Sequence, residues 1–146
     1  MSGDLNDRLT RLLKAMKLTD IKPMSLHSDL LGDMPAPNSE INLEWKQTFA
    51  DGDPVAANGA TRIFRPRFEI NVSFQGAPIF KQLAVVFIAF QLLDPATFDE
   101  LWADEEVRAV FMQNQIQKTM WPFLRQYVHD GMSRVGINPL PLPWIL

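Results

Sequence analysis

Alternating apolar and polar residues predict a sheet in the middle of this chain. Residues 41–49 alternate in this way, which is typical of a half-buried strand. Residues 64–74 alternate more clearly, and Pro66 falls on their apolar side; because proline cannot donate a ladder hydrogen bond, it indicates an edge, a bulge or the start of a strand. Residues 79–92 begin with alternation and then become apolar on both faces, so this strand needs cover on both, from its own domain or from a partner subunit. With a shorter strand signal at residues 24–27, we expect four strands.

Helical spacing of apolar residues brackets this sheet. Residues 4–17 form an amphipathic pattern with Asp4 as a candidate N-cap. After residue 95 the apolar period changes to that of a helix, and Thr97 with Glu100 matches a capping box. A break is expected near residues 103–104.

The final helix carries an unusually wide apolar face. It is predicted to be entered at Pro122 and to stop at Gly136. A surface helix needs an apolar stripe only about 100° wide. The wider face predicts contact with the sheet on one side and oligomerisation through helices on the other.

Composition excludes several classes of function. The 146 residues fit a single domain, and a net charge of −3 gives no basic footprint for nucleic acid. The absence of cysteine excludes disulfides, thiolate nucleophiles and Cys-ligated zinc. The N-terminus lacks the basic-then-apolar order of a signal peptide, and no apolar run is long enough to span a bilayer. We therefore expect a soluble, cytoplasmic protein without membrane insertion.

No catalytic or metal-binding group stands out. His129, Asp130 and Ser133 invite a triad interpretation, but on a helix Asp130 projects about 100° away from His129 and cannot orient its imidazole. Acidic residues between 99 and 106 are better explained by the positive end of a helix dipole than by a metal. We expect no enzyme activity, no metal and no cofactor. The unusual segments are the apolar connection at 28–39 and the apolar tail, for which a binding role and ordinary packing remain equally open.

Three C-terminal motifs resemble those of the SecB family of export chaperones. They are the aromatic-Pro-aromatic step Trp121-Pro122-Phe123, the run Ser133-Arg134-Val135-Gly136, and the Pro-Leu stretch 138–143. The order of strand, apolar connection, three strands and long helix also matches that family. The resemblance implies an α+β fold with a four-stranded antiparallel sheet, and a homotetramer built as a dimer of dimers. The single domain 1–146 would then comprise the N-terminal helix 4–17, sheet 18–93, helices 94–136 and tail 137–146.

The resemblance also implies ATP-independent binding of extended, non-native polypeptides in hydrophobic grooves. The predicted polypeptide-binding residues are Leu26, Leu30, Leu31, Met34, Leu43, Trp45, Phe49, Leu140, Leu142 and Trp144. The predicted oligomer interface consists of Ile116, Met120, Phe123 and Tyr127. Unfolded client polypeptides are the expected partners.

Departures from the family leave the biological role open between protein export and control of a toxin–antitoxin system. The outer sheet face mixes Arg65 and Arg67 with Glu44 and Glu69, so the acidic surface that docks the translocation ATPase SecA is not evident. The added N-terminal helix, and a tail in place of a second helix, look more like SecB-like chaperones that guard an antitoxin. SecA and an antitoxin are therefore both retained as partners. Two alternatives remain: a small-ligand-binding or enzymatic α+β domain with its site on the sheet, and a purely structural oligomerisation module.

Overall fold

The computed structural model describes residues 3–33, 35–36 and 39–136. They form an α+β fold in which helices cover one face of an antiparallel sheet. The strands are β1 (Met16–Leu30), β2 (Asn42–Phe49), β3 (Val55–Ala57), β4 (Thr61–Phe64), β5 (Pro66–Phe74) and β6 (Ala77–Leu92). The helices are α1 (Gly3–Lys14), α2 (Pro95–Trp102), α3 (Glu105–Val110) and α4 (Ile116–Arg134), with a π turn at Phe111–Gln115 between α3 and α4. The predicted fold class is confirmed, including the N-terminal helix and the long C-terminal helix.

Strand β6 is the centre of the sheet. β1 pairs along one side of it, while β5 and β4 pair in succession along the other. β2 lies beyond β5, and the short β3 lies beyond β4. The sheet therefore has two long edges, formed by β1 and β2.

The described residues form six strands, so the prediction of four was wrong in number. The strand predicted at 64–74 is interrupted at Arg65, whose backbone N–H donates to the Asp53 carboxylate, and β5 begins at Pro66 as its missing N–H requires. The additional strand β3 comes from a segment that was predicted as a loop. It joins β4 through Asn58 and Gly59, whose φ angles of 47° and 68° suit a tight hairpin turn.

Strand β1 is much longer than the predicted signal at 24–27. It runs for 15 residues and contains Pro23. Because β1 pairs with no strand other than β6 among the described residues, a proline on this edge strand does not break a second ladder. The pairing slips at two places, between Leu18 and Asp20 and between Pro23 and Ser25, so Met24 is the extra residue of a bulge.

The two faces of the sheet differ in cover. On β5, Phe68, Ile70 and Val72 are buried beneath the helices, whereas alternate residues such as Glu69 face outward. Beyond Lys81, outward residues of β6 such as Leu83, Val85 and Phe87 are apolar but only half-buried. The predicted need for cover on both faces of β6 is thus met within the described chain on the inner face only.

The helical region confirms the predicted break and corrects the predicted N-cap of α2. α2 and α3 separate at Ala103–Asp104, where Asp104 caps α3 by accepting from the backbone N–H groups of Glu106 and Val107. The N-cap of α2 is Asp94 rather than Thr97, because Pro95 begins that helix and the Asp94 carboxylate accepts from the Thr97 backbone and hydroxyl.

Pro122 lies inside α4 instead of beginning it. A proline inside a helix removes one hydrogen bond. α4 nevertheless continues through it, with Trp121 and Leu124 packed in the core on either side.

α1 packs Leu5 and Leu12 into the core and is also joined to the helical layer by ion pairs. Its Arg8 guanidinium pairs with Asp104, and at 3.1 Å with Glu106. Desolvation acts against ionisation of Asp104, but hydrogen bonds from the Val107 N–H and from Arg8 outweigh it and lower the pKa of this carboxyl. The acidic run is therefore used for helix capping and helix packing.

Candidate functional site

The inner face of β2 forms one wall of a groove beside the helices. Leu43, Trp45, Gln47 and Phe49 share this face, and each is half-buried. β2 pairs with β5 alone, so its second edge has no neighbouring strand within the described residues. The strand is thus covered less completely than β5 or β6.

Two contacts hold the helical wall against β2. The Gln47 Nε2 group donates to the Met112 carbonyl oxygen in the π turn at 3.0 Å. The Trp45 and Trp121 rings lie 5.0 Å apart at an interplanar angle of 57°, a tilted arrangement that suits aromatic pairs. Because Trp121 is almost fully buried while Trp45 is half-exposed, the pair anchors the groove wall in the core.

The space between these walls consists of two cavities that share Gln47 and Gln113. One has a volume of about 420 Å³ and the other about 320 Å³. We call them together the β2 groove, lined by Trp45, Gln47, Phe49, Glu105, Arg108, Ala109, Met112, Gln113, Asn114 and Gln117. Its combined size is in the range of natural ligand sites.

The β2 groove is more polar than the prediction. Four of its side chains are amides, those of Gln47, Gln113, Asn114 and Gln117. Among the described residues the buried Oε1 of Gln47 accepts no hydrogen bond. The sequence carried one signal for the polarity of the groove, since Gln47 is the polar residue among the apolar inner-face residues of β2. The amides on the helical side were indistinguishable in sequence from ordinary solvent-exposed residues.

Residues predicted to bind polypeptide fall into two groups. Leu43, Trp45 and Phe49 lie on β2, while Leu26 and Leu30 lie on β1 at the opposite edge. Leu30 is nevertheless in line with Leu43 across the sheet, through Phe80 of β6 and Val72 of β5. With strands spaced about 4.8 Å apart, the two leucines are roughly 14 Å apart. The middle of the sheet between the two edges is crossed by α4, where the Gln82 amide donates to the Tyr127 carbonyl oxygen at 2.8 Å.

The start of the apolar connection is exposed. Leu30 and Leu31 are each 49% exposed, although the Leu31 backbone N–H still donates to the Ile79 carbonyl oxygen at 2.7 Å. Leu26, by contrast, packs partly against the core. Met34, Leu140, Leu142 and Trp144 lie outside the described residues.

The predicted oligomer interface is divided by burial. Ile116 and Met120 are completely buried within the chain's own core. Their apolar character is therefore explained without a second subunit. Phe123 is 41% exposed, and Tyr127 is partly covered, with burial raising the pKa of its hydroxyl. Only these last two remain candidates for a subunit contact.

The polar groups that invited a triad interpretation lie on an exposed surface of α4. His129 and Asp130 are both solvent-exposed, with the ring Nδ1 3.7 Å from the carboxylate. No group of three or more metal-ligating side chains occurs within residues 3–33, 35–36 and 39–136. Across the same part of the chain, no helix is both long and apolar enough to cross a membrane.

Comparison with solved structures identifies the architecture. The chain superimposes on the SecB-like chaperone Rv1957 of Mycobacterium tuberculosis, solved in complex with a ChAD peptide from the HigA1 antitoxin Rv1956, with a TM-score of 0.73. The match covers 96% of this chain and 97% of the other at 19% sequence identity. The fold is SecB-like.

Other comparisons add little. A protein of unknown function from Streptococcus agalactiae aligns over 88% of this chain and 97% of the other, with 9% identity and a TM-score of only 0.35. Neither a family profile nor a curated protein matches the sequence. At such low identity the SecB-like likeness concerns the fold.

Proposed function

We propose that this protein is an ATP-independent chaperone that holds extended, non-native polypeptides on the inner, helix-covered face of its sheet. The observation that carries the proposal is the likeness, over nearly the whole chain, to a SecB-like chaperone solved with a bound antitoxin peptide. The β2 groove and the exposed leucine pair supply surfaces suited to such a client. No catalytic step and no cofactor is required.

The chemistry of the β2 groove favours clients of varied sequence. Trp45 and Phe49 offer apolar surface, and Met112 adds a flexible side chain that repacks around different partners. The amides of Gln113 and Asn114 can both donate and accept. They can therefore satisfy the backbone of an extended chain whatever side chains it carries.

The exposed pair Leu30–Leu31 offers a second apolar surface at the start of the crossover connection. The chain runs from there to Ile41, which packs against the core immediately before β2. An extended client contacting both the leucine pair and the β2 groove would follow this connection across the end of the sheet. Contacts at two separated places raise affinity because the second is made at a high effective concentration.

In the cell, we propose, the clients include an antitoxin or exported precursors, and subunits assemble into a homotetramer through α4. Binding of purified SecA would favour the export role. Protection of an antitoxin from proteolysis would favour control of a toxin–antitoxin system.

The test measures how far the protein suppresses aggregation of a chemically unfolded protein without nucleotide. Leu30→Ser combined with Leu31→Ser should weaken client affinity severalfold, because fully burying a leucine is worth about 1.5–3 kcal/mol. The melting temperature should change little, since both side chains are half-exposed already.

A matched control comes from Leu13 and Leu93, which are 37% and 58% exposed. They lie near the other end of β1 and β6, and their replacement by serine should leave client affinity unchanged. Ala109→Trp, which would place a large ring in the β2 groove, should also weaken client binding. The proposal fails if the wild-type protein leaves aggregation unchanged, or if the control pair weakens binding as much as Leu30 and Leu31 do.

A further inference from the structure

The outer face of the sheet carries a second cleft, on the side away from the helices. Its volume is about 620 Å³, larger than either cavity of the β2 groove. Side chains from β1, β6, β5 and β2 line it in that order across the sheet, including Met24, Val85, Arg67 and Lys46. The β2 groove opens on the opposite face, and the two surfaces share Phe49 at the end of β2.

One end of the cleft is apolar because of the bulge in β1. Pairing resumes one residue out of step between Pro23 and Ser25, and Met24 is the extra residue. Bulges re-aim side chains in this way, and Met24 lies on the cleft beside Val85 with 56% of its surface exposed. An exposed methionine beside a valine forms an adaptable apolar contact.

The charged side chains on the floor of the cleft include one more cation than anion. Glu69 is neutralised by two lysines, with Lys46 Nζ and Lys81 Nζ each 3.0 Å from its carboxylate. Arg65 is likewise paired, since its Nε donates to the Asp53 carboxylate at 2.9 Å. Arg67 is exposed on the same floor, and within the described residues its guanidinium has no hydrogen-bond or ion-pair partner.

Summing the ionised side chains on the cleft gives an excess of positive charge. The cations are Lys46, Arg65 and Arg67, and the anions are Asp51 and Glu69. This local excess stands on a chain whose net charge is −3. An unpaired arginine beside an apolar end is complementary to a carboxylate next to an apolar side chain.

We propose that this outer cleft docks an acidic, extended peptide segment of a partner protein, with an Asp or Glu carboxylate on Arg67 and a neighbouring apolar side chain against Met24. Docking here is distinct from the holding of non-native clients on the inner face. Its anchors, Arg67 and Met24, do not line the β2 groove.

The probe for this proposal is a fluorescein-labelled peptide of alternating Glu and Leu, about ten residues long to span the sheet. A Lys–Leu peptide of the same length is its counterpart. Fluorescence anisotropy at low salt should show clearly tighter binding of the Glu–Leu peptide than of the Lys–Leu peptide, whose binding measures the inner surface alone. Arg67→Glu should weaken the Glu–Leu affinity about tenfold or more, whereas Arg67→Lys should stay within about threefold of wild type. Met24→Ser should weaken it by a smaller factor.

Lys17→Glu is the matched control, because Lys17 is an exposed cation on β1 that does not line the cleft. Equal weakening by Lys17→Glu and Arg67→Glu would reduce the effect to overall charge and overturn the proposal. So would unchanged affinity in Arg67→Glu, or equal binding of the two peptides. The Leu30→Ser, Leu31→Ser variant should bind the Glu–Leu peptide normally; loss of binding there would place the peptide on the inner face and also refute the outer site.

Discussion

Gly131 fixes how closely α4 approaches the sheet. It is buried on α4, facing β6 and β1. A methyl group added at Gly131 would lie 2.2 Å from Gln82 Oε1 and 2.4 Å from Ser28 Oγ. Both distances are far below van der Waals contact, so either side chain or the helix itself must move.

Two opposing effects decide the stability of Gly131→Ala. Helix propensity alone favours alanine by about 1 kcal/mol. Against this, overpacking costs about 1–3 kcal/mol. Displacing Gln82 would also break its hydrogen bond to the Tyr127 carbonyl, and leaving a buried polar group unsatisfied costs about another 1–3 kcal/mol. We therefore expect a net loss of about 1–5 kcal/mol, opposite in sign to the effect of propensity alone.

Urea unfolding followed by tryptophan fluorescence measures this loss, because Trp121 lies on α4. Ser133→Ala is the control on the same helix, where the exposed side chain should permit a gain of a few tenths of a kcal/mol. In a Gln82→Ala background, Gly131→Ala should cost less, with a coupling energy above about 0.5 kcal/mol. A Gly131→Ala protein as stable as wild type would show that α4 does not approach the sheet as closely as described.

Two further predictions concern assembly and pH. Phe123→Glu places a charge on the exposed part of α4 and should reduce the assembly to smaller species in native mass spectrometry. The control Gln126→Glu, an exposed change on the same helix, should leave the mass of the assembly unchanged. An unchanged mass for Phe123→Glu would show that the subunit interface lies elsewhere. Hydrogen bonds from Lys81 and then Lys46 lower the pKa of Glu69 from 4.5. Its ionised form therefore contributes stability that is complete above the unfolded pKa and is lost as pH falls through the lower folded pKa. The stability difference between wild type and Glu69→Gln, measured by urea unfolding from neutral pH down to acid, should shrink below about pH 4.5; a constant difference would contradict this origin.

Local sequence patterns were sufficient to predict those elements whose position depends on neighbouring residues alone. Alternation located β2, because the face on which each residue lies follows from its position in the strand. The start of a strand was one of three possibilities that the missing N–H of Pro66 allowed, and β5 does begin there. The break at Ala103–Asp104 was visible because Asp104 caps α3 from the adjacent position. The same patterns predicted the order of the elements, and this order matched that of the SecB family.

Features that depend on distant partners were not predictable in this way. The interruption at Arg65 depends on Asp53, which lies twelve residues earlier and accepts from its backbone. The length of β1 depends on pairing along the whole of β6. An apolar helical stripe predicts that Ile116 and Met120 are buried. It does not predict whether they are buried by their own sheet or by another subunit. In this structure they are buried in the core of their own chain.

The β2 groove also depends on residues that are distant in sequence, so its polar wall was not predicted. Its predicted apolar residues on β2 do line or adjoin it, but its polar wall arises only where the π turn meets the sheet. A regular α-helical turn pairs each carbonyl with the N–H four residues later, whereas a π turn shifts this pairing by one residue and occurs often at functional sites. Gln47 bonds the Met112 carbonyl within that turn, and the adjacent Gln113 and Asn114 line the groove.

Under the proposed function, the aromatic side chains of the β2 groove must stay accessible without collapsing onto each other, and rigid support provides for this. Trp45 keeps part of its ring exposed because the ring rests on the buried Trp121, and Gln47 is tied to the helical wall. A wall held in this way loses little conformational freedom when a client binds, so more of the contact energy appears as affinity. The half-exposed Leu30 and Leu31 at the other edge are tied to β6 through their backbones, by the pairing of Leu30 with Phe80 and by the Leu31 N–H. Their exposed side chains are free to adapt. Under the proposed function, the stiff groove would set the affinity for a client, and the leucine pair would widen the range of sequences accepted.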